Sequence, residues 1–483
     1  MSTQDDVRKL RSRLDHPVVD GDGHIIESMA NFYRYLAKTG GDDMPDRYRE
    51  EMRARPMSTT GDRERWEPKA AWWAVPNDAR DLATVMAPKL LHERMDELGL
   101  DFALLYPSLG LTLHTIQDEK VRRTALRALN TMNAESVAPY QDRMTSVSMI
   151  PMHTPEEAVE EIEHVATKLG VKACVIPAGV ARPVPALQAQ HAEAFPYACR
   201  MDCYGLDSEH DYSPVWEALR KHRIAGTFHG APAVRYLQIG RRSPTSYMHN
   251  HILAHAQQQT DLCLSLVLGG VPKRYPDVTF AFLEGGAGWA ADLLHGIEEH
   301  YEKRNAEGIA NYDPSKLDRR TMGELLARYA PELIAANGDR GAGGSATPDA
   351  ATDYAQYDEF RDSLLEGEDD LADMFGRQFY FGCEADDMSV YRALDAKGNP
   401  MGVRLKAFFS SDIGHWDVPD ISEVLIESHQ LVDKGLLSDA DYRDFVFTYP
   451  AGLHLGMNPH FFDGTPVESA AKELAAGMSA AAR

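Results

Sequence analysis

Cysteine is scarce in this chain. Five occur in 483 residues (Cys174, Cys199, Cys203, Cys263 and Cys383), with no CxxC pair. An odd number without paired spacing argues against a disulfide framework and fits reduced thiols in a cytoplasmic protein. Long hydrophobic runs are missing too. The most apolar stretch, CLSLVLGGV at 263–271, is far too short to cross a bilayer. The N-terminus, MSTQDDVRKLRSRLDH, lacks the apolar centre of a secretory signal. Positive charge is in deficit: 50 Lys and Arg against 74 Asp and Glu give a formal net charge of -24. That balance disfavours nucleic acid and anionic membrane as partners, since binding phosphates takes a positive surface. Internal repeats and basic low-complexity runs are also absent. What is present is ordinary for a soluble globular enzyme, 43% hydrophobic and 26% charged.

Short apolar runs alternate with amphipathic segments. The runs predict eight strands at 17–22, 102–107, 145–150, 172–177, 224–229, 278–283, 378–383 and 406–411. Between them lie helical patterns such as PEEAVEEIEHVATKLG, opened by Pro155, and YSPVWEALRKHR, with Val215, Trp216 and Leu219 on one stripe. Strands alternating with helices imply parallel pairing, and eight such units predict an α/β fold, a closed (β/α)8 barrel of TIM type. Barrels of this kind run past ~400 residues as one unit, so residues 1–483 are read as a single domain. Insertions after strands are expected at about 28–90 and 303–370, over the mouth of the barrel, with a shorter excursion at 179–212 and a helical tail at 464–483. Within the second insertion, 330–355 reads equally as a loose surface segment or as a substrate lid.

The stretch VVDGDGHIIE at 18–27 carries the first chemical signal. Side chains alternate along a strand, so Asp20, Asp22 and His24 project the same way. A surface loop would also accept Asp and Gly. Four of the other predicted strand ends argue for chemistry, because they carry polar residues: His229, Glu284, Glu384 and Asp412. In a barrel such ends form a ring. Asp22, His24, His229 and Asp412 therefore converge, and two carboxylates with two imidazoles suit a divalent ion such as Zn²⁺ with a position left for water.

Four blocks, DGDGH at 20–24, FHGAP at 228–232, FLEGGAGW at 282–289 and SSDIGHWD at 410–417, make the sequence resemble the amidohydrolase superfamily. The branch is the one that includes aminocarboxymuconate semialdehyde decarboxylase and related metal-dependent hydrolases. The blocks stand in family order over about 16–456. The resemblance implies a metal site at Asp22, His24, His229 and Asp412, holding Zn²⁺ or alternatively Mn²⁺ or Fe²⁺, and a homodimer. Two departures stand out. The family's familiar opening is HxH, where this chain has Asp22, and it often has a histidine at the sixth strand end, where this chain has Glu284.

The expected activity is hydrolysis of an acyl-type C–N, C–O or C–C bond by a metal-activated water. Asp412 takes the water's proton, and Glu284 or His415 passes it to the leaving group. Two alternatives stay open. One is a nonoxidative decarboxylase of an aromatic or muconate-type acid, for which Arg235, Arg241 and Arg242 would supply cationic groups. The other is a non-catalytic barrel that binds a ligand. The substrate is a small molecule, and the aromatics Trp66, Trp72, Trp73, Tyr354 and Tyr357 in the insertions hint at an aromatic one. Several residues have bland readings of equal or greater weight. His249, His251 and His255 suit a surface or packing role, Glu384 a salt bridge under the barrel rim, and Trp416 either core or pocket wall.

Overall fold

The structure is a computed structural model that describes residues 3–53, 60–64, 66–71, 78–195, 198–230, 242–313, 316–333 and 357–481. Eight parallel strand positions close into the expected barrel. In chain order they are β1 (Val19–Ile25), β2 (Phe102–Pro107), a broken third strand made of β3 (Met144–Ser146) and β4 (Ser148–Met149), β5 (Cys174–Pro177), β8 (Gly226–His229), β9 (Phe280–Phe282), β10 (Phe379–Glu384) and β11 (Lys406–Ser410). Between β5 and β8, the strands β6 (Val180–Pro183) and β7 (Cys199–Asp202) form a separate antiparallel pair. That hairpin accounts for the excursion at 179–212.

Pairing runs β1-β2-β3 and β11-β10-β9-β8-β5-β4. Val147 joins the two sheets: its N–H donates to Leu105 O, and the next residue, Ser148, donates to Ala173 O. The other seam is closed just past β11, where Asp412 N donates to Asp22 O and His24 N to Ile413 O, both at 3.0 Å. The seam thus fixes two candidate site residues to each other through the backbone.

Side-chain alternation sorts the strands into two faces. Thr227 and His229 point inward, and the Tyr106 hydroxyl lies 3.4 Å from Thr227 Oγ1 inside the barrel. The intervening Phe228 points outward and stacks on Phe280 and Phe282. Trp216, from the helix Ser213–His222, packs edge-on against Phe228 and Phe280, and Trp289, from the helix Gly288–Arg304, does the same to Phe282 and Phe381. A buried aromatic side chain removes roughly 150–250 Å² from water, so this outer seam clamps the helices onto strands five to seven. Val215, Trp216 and Leu219 are all buried, on the stripe the sequence predicts.

The N-terminal insertion holds the helices Met29–Gly40 and Met44–Arg53, and the helix Ala79–Met86 returns beside β1, where Ile26 N donates to Val85 O. The second insertion holds the helix Arg319–Tyr329, none of whose residues is buried. The segment 330–355, read equally as a loose surface segment or a lid, lies almost wholly outside the described residues, as do Trp72, Trp73, Tyr354, Arg235 and Arg241. All five cysteines are free. Among the described residues, no helix is long and apolar enough to cross a membrane.

Candidate active site

Strict alternation fails in β1. A β-bulge between Asp20 and Gly23 inserts an extra residue against β2. Asp20 consequently does not face the imidazoles as expected. Its carboxylate accepts from Ser411 N and from Ser411 Oγ, which ties the two strands together beneath the site. Gly23 is required here, because a Cβ would stand 2.5 Å from Asp20 Oδ2.

Asp22, His24 and His229 meet at the barrel mouth, all but fully buried. His24 Nε2 lies 3.5 Å from Asp22 Oδ1 and 3.4 Å from Asp412 Oδ1, and His229 Nε2 lies 4.0 Å from Asp22 Oδ2. The tautomer of His229 follows from its partner. Its Nδ1 sits 2.6 Å from Gly230 O, a carbonyl that can only accept, so Nδ1 carries the proton and Nε2 presents a lone pair. That lone pair faces carboxylate oxygens. Among the described residues, Asp22 Oδ1, His24 Nε2, His229 Nε2, Glu284 Oε2 and both Asp412 oxygens are buried without a hydrogen-bond partner. Lone pairs facing lone pairs in a desolvated site call for a cation between them, so the donor set fits a divalent metal.

The titration behaviour agrees with that need. Burial pushes the carboxyls of Asp22, Glu284 and Asp412 well above the usual carboxylate range, and neighbouring carboxylates add to the shift. Burial holds His229 down to about 3 and His24 well below an ordinary imidazole. The protein alone therefore resists charging this site, and a bound cation reverses the sign of that resistance.

Glu284 and Asp412 follow the ends of β9 and β11 with φ of 54° and 50°, a left-handed backbone that costs non-glycine residues of order 1 kcal/mol or more. Both turns aim a carboxylate inward. Glu284 Oε2 lies 3.2 Å from His229 Nε2 and 3.1 Å from His255 Nδ1, with Oε1 3.8 Å from His415 Nδ1. His415 Nδ1 is 2.8 Å from Asp412 Oδ1, and its ring lies 3.8 Å, centroid to centroid, from that of His24.

The structure also draws in residues the sequence weighed otherwise. His255, at the start of the helix Ala254–Leu268, enters the site, whereas His251 packs against Trp416 and His249 stays on the surface. Trp416 is pocket wall. Glu384 makes no salt bridge among the described residues; it joins Glu284 and Asp412 in a carboxylate triad, and burial beside Asp417 pushes it up to about 8. Ser108, just past β2, lies 3.5 Å from His24 Nδ1 and 3.4 Å from His415 Nε2, and no residue-type signal in LLYPSLG marks it. Arg242 turns its guanidinium to the backbone carbonyl of Asn250. A cavity of about 590 Å³ opens beside Glu284 and His255. Its described lining holds five carboxylates, Glu284, Glu384, Asp386, Asp387 and Asp417, and neither Lys nor Arg.

Solved structures resemble this one to different degrees. An amidohydrolase from Mycobacterium avium subsp. paratuberculosis K-10 superposes with a TM-score of 0.54 at 16% identity, over 91% of this chain and 100% of that one. A dihydroxybenzoic acid decarboxylase from Polaromonas sp. JS666, with bound manganese and 2-nitroresorcinol, gives 0.48 at 14% identity over 91% and 97%. A 5-carboxyvanillate decarboxylase from Novosphingobium aromaticivorans, complexed with manganese and 4-hydroxy-3-methoxy-5-nitrobenzoic acid, gives 0.48 at 13% identity over 91% and 96%. At 16% identity the first of these likenesses is one of fold. No curated protein matches the chain. The amidohydrolase family matches residues 88–334, just over half of the sequence, a span that contains His229 and Glu284 but not β1 or β11. This barrel, with its carboxylates and imidazoles gathered at the strand ends, belongs to the amidohydrolase family.

Proposed function

We propose that the protein is a metal-dependent hydrolase of an acyl-type bond, with Asp22, His24, His229 and Asp412 holding one divalent ion. The observation that carries this reading is the set of buried, unbonded lone pairs on those four side chains. Two imidazoles with two carboxylates suit zinc, with manganese or iron(II) as the next choices. When bound, such an ion polarises a carbonyl and brings a water near neutrality to deprotonation.

The chain's own residues then handle the proton. Asp412 accepts it, and His415, 2.8 Å from Asp412 Oδ1 and partly exposed, carries it to the leaving group. His415 suits this step better than Glu284, whose Oε2 is turned towards His229 and His255. Ser108 Oγ, near Nε2 of His415, helps to hold the ring in place. Trp416 and Trp289 supply apolar wall for a flat substrate group.

The acidic lining favours hydrolysis of a neutral or cationic acyl compound. Decarboxylation of an aromatic acid would bring a further anion among five carboxylates in a cavity whose described lining holds neither Lys nor Arg. The proposal extends to a single barrel unit over 1–483, cytoplasmic and homodimeric, with a dimer mass in light scattering as the check on assembly. To test the activity, the protein is stripped with chelator, resupplied separately with Zn²⁺, Mn²⁺ and Fe²⁺, and offered amides, esters, β-diketones and aromatic acids. Mass spectrometry reads the products. Metal-dependent release of an acid with an amine, alcohol or second carbonyl fragment supports the reading. Carbon dioxide as the product, or turnover indifferent to metal, overturns it.

A further inference from the structure

A second cavity, of about 540 Å³, opens at the opposite end of the barrel, where β9, β10 and β11 begin. A strand rises roughly 3.3 Å per residue, so β11 from Lys406 to Ser410 alone holds this cavity roughly 13 Å from the mouth. Leu455 and Pro459 form part of its wall, and the helix Glu468–Ala481 adds Ala475 and Met478. That wall is apolar, and the volume lies in the range that holds a small ligand.

Lys406, the first residue of β11, pairs across the sheet with Tyr380 of β10, and both line the cavity. Its ammonium lies 4.3 Å from the centroid of the Tyr380 ring and donates to Arg377 O and, at 3.2 Å, to the Tyr380 hydroxyl. An ammonium has three protons, so these contacts leave one over. Among the described residues no carboxylate forms an ion pair with it: Asp373, the acid that acts on it, is paired with Arg377 on its own helical turn. Burial, with Arg377 adding to it, holds the ammonium down to about 8. A desolvated lysine ordinarily has an anionic partner. The described lining holds one other cation, Arg377, and one acid, Asp277, both exposed, which leaves a net of one positive charge.

We propose that this cavity is a ligand site for a small amphipathic carboxylate, its anionic head on Lys406 and its apolar body along Leu455, Ala475 and Met478. One carboxylate supplies the single charge that the chain leaves out, in a charge-assisted hydrogen bond to the remaining ammonium proton. The apolar wall distinguishes such a ligand from a free inorganic ion, which buries no apolar surface there. The mouth of the barrel, lined by carboxylates and by neither Lys nor Arg among the described residues, selects the opposite charge. The site is therefore separate from the active site and independent of the reaction assigned to it.

The experiment titrates the full chain with octanoate by calorimetry, with 1-octanol as the uncharged control and acetate as the control without an apolar body. The expected result is one equivalent of octanoate, bound at least about tenfold tighter than either control. Lys406→Met keeps the apolar stem and removes the charge, and should weaken octanoate at least about tenfold, with melting curves to exclude unfolding. A second measurement on the wild type places the ligand even if that variant fails to fold. Limiting acetic anhydride acylates lysines, and peptide mass spectrometry reads each one. Saturating octanoate should slow acetylation of Lys406 and leave the exposed Lys89 unchanged. Octanol or acetate bound as tightly as octanoate overturns the proposal. So does octanoate binding that is undiminished in Lys406→Met, acetylation of Lys406 that octanoate does not slow, or no octanoate bound at millimolar concentration.

Discussion

His415 Nδ1 stands 2.8 Å from Asp412 Oδ1 while the same ring, tilted against that of His24, lies 3.8 Å from it between centroids. The contact joins a partly exposed imidazole to a buried carboxylate at the barrel mouth, which is the arrangement a proton relay needs. Replacing His415 with Asn should lower kcat/KM by about 10² to 10⁴ while metal content stays at the wild-type level. Turnover and elemental analysis on one preparation check both halves. Full activity would remove His415 from the reaction.

His24→Ala and His229→Ala should each lose most bound metal while circular dichroism and the barrel persist. Each deletes a lone pair that no donor among the described residues satisfies, and melting curves separate the cost of the cavity left behind from the loss of metal. Full metal occupancy in both variants would contradict the assignment of the metal site.

Gly21→Ala tests the packing beneath β1. A Cβ there would lie 2.5 Å from the Phe408 ring and 3.1 Å from Phe409 O. The ring can shift but the backbone cannot, so overpacking should cost about 1–3 kcal/mol. Denaturant unfolding measures it, and unchanged stability would mean that β11 yields more than its hydrogen bonds suggest.

His454, on the helix Tyr449–Leu455, gives a pH prediction remote from the site. It is 2% exposed, stacks on Phe461, and has no hydrogen-bond partner on either ring nitrogen among the described residues. Burial holds its pKa down to about 3 from 6.5. Between those values the unfolded chain binds a proton that the folded chain refuses, so stability falls as pH drops below 6.5. Each unit is worth about 1.4 kcal/mol, or about 2 kcal/mol between pH 6.5 and 5. His454→Leu should flatten that acid limb in melting temperatures taken across the range. An acid limb identical to the wild type's would assign it to other groups.

The eight strand positions were legible because each is a short β-branched or aromatic run between helical patterns. Phe102–Pro107 agrees to the residue, and most others agree to within two or three. The bulge at Asp20–Gly23 was not legible, since it is fixed by pairing with β2 and by Ser411 across the barrel seam. His255 escaped for a related reason. Helical spacing ranks it with His251, but only the packing of the helix Ala254–Leu268 against β8 and β9 decides which of the two reaches Glu284. For Glu384, sequence could mark a strand end but could not say that its neighbours would be other carboxylates instead of a cation. Asp22, His24, His229 and Asp412 were readable together because barrel topology alone brings strand ends into a ring.

The acidic cavity lining has a kinetic consequence. Those of the five carboxylates around one opening that are ionised focus a negative potential into solvent, and at 0.1 M ionic strength that field fades over about 10 Å. Encounter with a cationic ligand should slow as salt is added, encounter with an anionic one should quicken, and a neutral ligand should be indifferent. The salt dependence of an association rate, measured with three ligands alike except for charge, therefore reports the sign of the mouth before any substrate is identified.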